Sequence, residues 1–130
     1  MNKKNILFGF VAISGLLGVG FGAFGAHALK SYLNDYQREI YNKAVLYQFI
    51  HTMAAFVALL SGVIFAQQAF RKIAVLFLIG IVCFSGSLYL LSINHLLGIP
   101  AYVLGPTTPI GGVFFILGWL YMAYCFFKIE

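Results

Sequence analysis

Charge is what this chain has least of. Only 8% of its 130 residues are Asp, Glu, Lys or Arg, against about 25% in an ordinary soluble domain. That leaves too little polar surface to face water, which excludes a soluble globular domain and points to an integral membrane protein. Acids are scarcest of all: Asp35, Glu39 and Glu130 are the only ones. None lies inside an apolar run, so a Ser-His-Asp triad and a midplane proton relay or pump both lack their parts. Two cysteines, Cys83 and Cys125, imply no disulfide framework. They sit in apolar stretches, where a thiol acts as a small hydrophobe. No P-loop or dinucleotide glycine fingerprint occurs. No linker or low-complexity tract divides residues 1–130, so one domain is expected. The net charge of +5 lies beside the apolar runs. It reads as a membrane-topology signal rather than a nucleic-acid footprint. Catalysis and a bound cofactor are not expected.

What the chain does have is apolar length. A helix needs about 20 apolar residues to cross a bilayer core, and four runs qualify: 6–29, 44–66, 73–97 and 109–127. They are too long for membrane strands and do not alternate polar with apolar. The expected fold is an all-α membrane protein, a four-transmembrane-helix up-down bundle. Lys3, Lys4 and the Ala26-His27-Ala28 stretch imitate a cleaved signal, but the first run is longer than a signal core, so it is read as a retained span. With the N-terminus inside, Lys3, Lys4, Arg71, Lys72 and Lys128 are cytoplasmic and Lys30, Arg38 and Lys43 are outside. The bias places both termini in the cytoplasm of a cell that carries the protein in its plasma membrane.

The first loop, "NDYQREIYNK", carries a helix start. Asn34 is a good N-cap and Gln37 completes a capping box. Glu39 and Lys43 have favourable i,i+4 spacing. The second helix should therefore begin near Asp35 with an interfacial segment, where Tyr36, Ile40 and Tyr41 can face the membrane surface.

Helices in lipid associate through small residues, because lipid tails are as apolar as leucine. Ser14, Gly18, Gly22 and Ala26 recur every four residues in the first run, and Ala54, Ala58, Gly62 and Ala66 in the second. The two stripes predict a close hairpin in preference to a homodimer face. Gly111, Gly112 and Gly118 give the fourth run a looser version. Ser85 and Ser87 lie about 18–21 Å along the third helix from Ile73, and Trp119 about 14 Å from Lys128. A deep indole N–H needs an acceptor, and those serines are candidates.

Alternation of the spans puts His27, His51 and His95 in one leaflet, with Gln48, Asn94 and the start of the fourth helix, where Thr108 reads as N-cap and Pro109 as N1. His51 falls on the small-residue face of its helix and should point inward. The imidazoles can bond to neighbouring helices or reach the headgroups. They can also line a site for a lipid or other amphiphile together with Thr108, Gln48 and Tyr47. Zinc is disfavoured, because the spacings match no HxxxH or HExxH pattern and no carboxylate lies in the spans.

The blocks "GAFGAHALK" (22–30), "YQFIH" (47–51), "SGSLYLL" (85–91), "TPIGG" (108–112) and "GW" (118–119) resemble the YgdD/YwdK-type family, small bacterial inner-membrane proteins of unknown function (domain of unknown function 423). The resemblance implies four spans and a plasma-membrane location but no activity. It carries its motif onto His27, Tyr47, Gln48, His51, Ser85, Ser87, Tyr89, Thr108, Pro109, Gly111 and Gly112. Where that family often has tryptophan in the first loop, this chain has Tyr41. The functional expectation is a site for a lipid or other amphiphile in one leaflet, with His27, His51, His95, Thr108, Gln48 and Tyr47 as hydrogen-bond partners. The alternative is a non-catalytic scaffold that recruits a second copy or another membrane protein through its small-residue faces. Membrane lipids are the expected partners and nucleic acid is not.

Overall fold

Backbone amides cannot bond to lipid, so a spanning segment must close its hydrogen bonds within itself. The computed structural model does this with four long helical segments. It describes residues 3–129, with side chains from 6 to 129. The charges counted at Lys3, Lys4 and Glu130 lie outside the described side chains.

Helix α1 is Lys3–His27 and α2 is Asp35–Ile64. The third span is composite: α3 (Ala69–Gly80), one π-helical turn (Ile81–Ser85) and α4 (Gly86–Ser92). Two short helices follow, α5 (Asn94–Leu97) and α6 (Ala101–Leu104), and α7 (Thr107–Phe127) closes the bundle. Four segments are long and apolar enough to cross a membrane, which bears out the all-α, four-span reading.

Several expected boundaries move. The third helix ends at Ser92, not Leu97, because the Ser92 hydroxyl bonds back to the Tyr89 carbonyl at 2.6 Å and Ile93 leaves helical geometry. Gly98 then adopts the left-handed conformation that stops α5. The fourth helix starts at Thr107 with Pro106 before it, and no side chain caps it. Thr108 is therefore not the N-cap. Its hydroxyl is engaged at 2.6 Å with Ser87 across the α4–α7 contact. The start of α2 is as expected: Asn34 and Gln37 exchange side-chain-to-backbone bonds of 2.9 Å each, and Lys43 meets Glu39 at 3.2 Å. Tyr41, however, turns inward rather than to the membrane surface, is buried, and donates to the Phe21 carbonyl at 2.7 Å.

The small stripe of α1 packs within the chain, but not against the stripe of α2. Ser14 meets Thr52, Gly18 meets the ring of Phe49 and Gly22 meets Val45. The α2 residues filling α1 are thus larger ones, while Ala54 and Ala58 sit in the main core and Gly62 lies against Phe70 of α3. Ala26 is exposed, and Gly25 takes its place by admitting the Tyr41 ring. Ala66 leaves the helix altogether with φ +53° in the turn to α3. Spacing marks a small face; it does not say which neighbour fills it.

A second antiparallel contact joins the third span to α7 and is reciprocal. Phe77 lies on Gly118, Phe115 on Gly80, and Phe84 on Gly111. Gly118 and Gly80 each admit a ring from the facing helix, and Gly111 admits the backbone of Phe84 itself. Helix α2 sits centrally, against α1 on one side and α3, the π turn and α4 on the other, whereas α1 hardly touches α3.

Candidate functional site

The buried polar groups fall into separate sets. The first joins α1, α2 and α4. Ser14 Oγ and Thr52 Oγ1 are 2.7 Å apart. Gln48 donates through Nε2 to the Ser14 carbonyl and accepts through Oε1 from the Tyr89 hydroxyl, each at 2.8 Å. Every bond spans two helices, which is how polar side chains join helices in lipid.

His51 forms the second set. Trp119 Nε1 donates to His51 Nε2 at 3.2 Å, and His51 Nδ1 lies 2.8 Å from the Tyr47 carbonyl. An indole can only donate and a carbonyl only accept, so the ring is the neutral Nδ1–H tautomer with both nitrogens satisfied. It stacks on Phe115 with centroids 3.4 Å apart, and Tyr47 stacks on Phe84. The acceptor of Trp119 is therefore His51 and not Ser85 or Ser87. Counting depth along separate helices could not fix their rotation.

His95 belongs to neither set. Its Nε2 lies 3.2 Å from the Tyr32 carbonyl and its Nδ1 3.0 Å from Gln37 Nε2. It thus ties the end of the third span to the α2 capping box. His27 is exposed at the end of α1. Gly25 faces Tyr41, and ten residues of helix from Tyr41 to His51 cover about 15 Å. His51 is thus near the midplane while His27 and His95 are at an edge. Of the six expected ligand residues, Tyr47 and His51 touch each other and Gln48 joins the α1 set. Thr108, His95 and His27 stand apart, and no described contact links the three imidazoles. Among the described residues no group of three or more His, Cys, Asp or Glu is placed to hold a metal ion.

An apolar cavity lies elsewhere. Because α1 leans on α2 and stands off α3, a groove of about 620 Å³ opens between α1 and the third span. Leu7, Phe10, Ile13 and Leu17 form one wall and Val75, Leu78, Ile79 and Val82 the other. Ser14, Gln48, Ser85 and Tyr89 also line it. Ser85 is fully buried, and its hydroxyl is one of two buried side-chain polar groups without a hydrogen-bond partner among the described residues. It closes the π turn, a feature frequent at functional sites. Sequence reasoning named Ser85 and Gln48 but missed the groove and the π turn; the only local sign is a glycine on each side, Gly80 and Gly86.

A family model described as "Protein of unknown function (DUF423)" matches residues 21–112. A UPF0382 membrane protein of Staphylococcus aureus is 40% identical over 121 residues, 92% of this chain and 93% of its own. The UPF0382 membrane protein YwdK of Bacillus subtilis is 39% identical over 110 residues, 84% of this chain and 85% of its own. The UPF0382 inner membrane protein YgdD of Escherichia coli is 38% identical over 120 residues, 87% of this chain and 82% of its own. No solved structure matches.

Proposed function

This chain belongs to the DUF423 family of membrane proteins of unknown function, and from that premise we propose that it holds a lipid or other amphiphile in the groove between α1 and the third span. The observation that carries the reading is the groove itself, two apolar walls with Ser14, Gln48 and Tyr89 among its lining and the partnerless Ser85 hydroxyl buried behind it. That hydroxyl has no exposed surface, so it marks a weak point behind the wall rather than a contact open to the groove; left unbonded it costs about 1–3 kcal/mol. The volume is in the range of small-molecule sites. The histidines take no part in this reading: His51 and His95 are engaged by protein partners, and none of the three lines the groove. The scaffold alternative loses its main support, since the stripe from Ser14 to Gly22 is occupied by α2.

Gly86 provides the test. It lines the groove, and a Cβ there would meet nothing within 4 Å. Gly86→Trp should fill the groove and leave the fold intact. Native mass spectrometry of the wild type in mild detergent should show a retained amphiphile, and the variant should lose it at unchanged helicity. A wild type that carries nothing, or a variant that keeps its adduct, sinks the reading.

The same proposal sets the protein in the cell membrane with both termini cytoplasmic, from Lys3, Lys4, Arg71, Lys72 and Lys128 in the sequence against Lys30, Arg38 and Lys43. In a cysteine-free background, a thiol at Ser31 should react with an impermeant reagent on whole cells and one at Gln68 should not. Labelling at Gln68 alone reverses the orientation.

A further inference from the structure

The groove does not end in hydrocarbon. At the start of α3 it meets a recess of about 550 Å³ lined by Gln68, Arg71, Lys72 and Tyr121, and Leu7 and Val75 belong to both. A smaller recess of about 220 Å³ beside it is again bordered by Gln68 and Arg71. Arg71 and Lys72 occupy the opening turn of α3, which has no acid in it. A helix start already carries a partial positive charge and favours acids, so two cations here work against their own helix. Asp35 and Glu39, the acids with described side chains, are at the opposite end of the bundle. Of the described basic side chains, Arg71, Lys72 and Lys128 are at this end, and Arg71 has a partner of its own.

We infer that the recess at Arg71 and Lys72 receives the anionic head of a phospholipid whose chain lies in the groove. The inference rests on the groove reading and names its ligand class. Charge and shape agree on it. The cations stand at the membrane surface, where an anionic head would be. From Lys72 to Ser85 the third span rises about 20 Å, more than half of a hydrocarbon core about 30 Å thick, so one extended chain can follow Val75, Ile79 and Val82 inward. Anionic lipids attract juxtamembrane Lys and Arg with an energy worth about fivefold in affinity per charge.

The experiment titrates the delipidated full chain in neutral detergent with phosphatidylglycerol and, separately, with phosphatidylcholine, and reads occupancy by native mass spectrometry. The wild type should prefer phosphatidylglycerol. Lys72→Gln, at an exposed position that the core does not need, should weaken that preference about fivefold. Gly86→Trp should lose both lipids. Equal affinity of the wild type for the two lipids overturns the head assignment and leaves the groove reading standing, as does an unchanged preference in Lys72→Gln. Binding of neither lipid overturns both. Displacement of the lipid by inorganic phosphate alone assigns the recess to a free anion and overturns the lipid assignment.

Discussion

Gly111→Ala is expected to unseat α7 from the third span. A methyl group at this position would run into the backbone of Phe84, not into the tip of a side chain. Phe84 is part of the π turn, and Tyr47 and Phe115 pack on its ring. Neither partner can yield without moving a helix, so the penalty should lie at or above the top of the ~1–3 kcal/mol range for overpacking. The adjacent residue is the control. A Cβ on Gly112 would stand 3.9 Å from the Phe84 ring, an ordinary contact, so Gly112→Ala should be tolerated. Thermal unfolding of both variants in one detergent decides the matter. Equal midpoints would mean that the helices do not approach as closely as described.

His51→Ala is the second large effect. The substitution removes the ring stacked on Phe115 and takes from the Trp119 N–H its acceptor among the described residues. Loss of a buried ring costs about 3–5 kcal/mol. His51→Phe separates the ring from its nitrogens: the stack survives, while the acceptor for Trp119 and the Nδ1–H donor to the Tyr47 carbonyl both go, and the stranded indole N–H costs about 1–3 kcal/mol. Trp119 is the only tryptophan, so its emission reports on this bond. It should move to shorter wavelength in both variants. An unshifted spectrum in His51→Phe would show that the indole has another partner.

The parts that were legible in sequence are those governed by one helix at a time. Apolar length locates four spans, and Asn34 with Gln37 locates the start of α2 to the residue, because a capping box is closed by groups three positions apart. What stayed hidden depends on two helices at once. Counting along single helices assigns the three histidines to one half of the membrane and so suggests a common depth, which they do not share. Their separation, with His51 inside and His95 tied to the loop, depends on how far α2 rises beside α1 and where α4 stops. The partner of Trp119 depends on rotation about two axes. The π turn has no signature in "IVCFS" that differs from a plain helical run. It ends at the buried Ser85 and widens the backbone there, which residue types do not encode.

The alternation of rings and glycines between the third span and α7 also determines how those two rods can be aligned. Slide α7 one turn in one direction and Phe84 would confront Phe115, while Gly80 would receive Trp119. Slide it in the other and Gly80 would face Gly111 across an empty gap, with Phe77 driven against Phe114. Teeth and notches on both edges make this a keyed joint with one seating. The joint of α1 to α2 has notches on one edge only, which sets its direction but leaves its longitudinal position to the Ser14–Thr52 and Tyr41–Phe21 bonds.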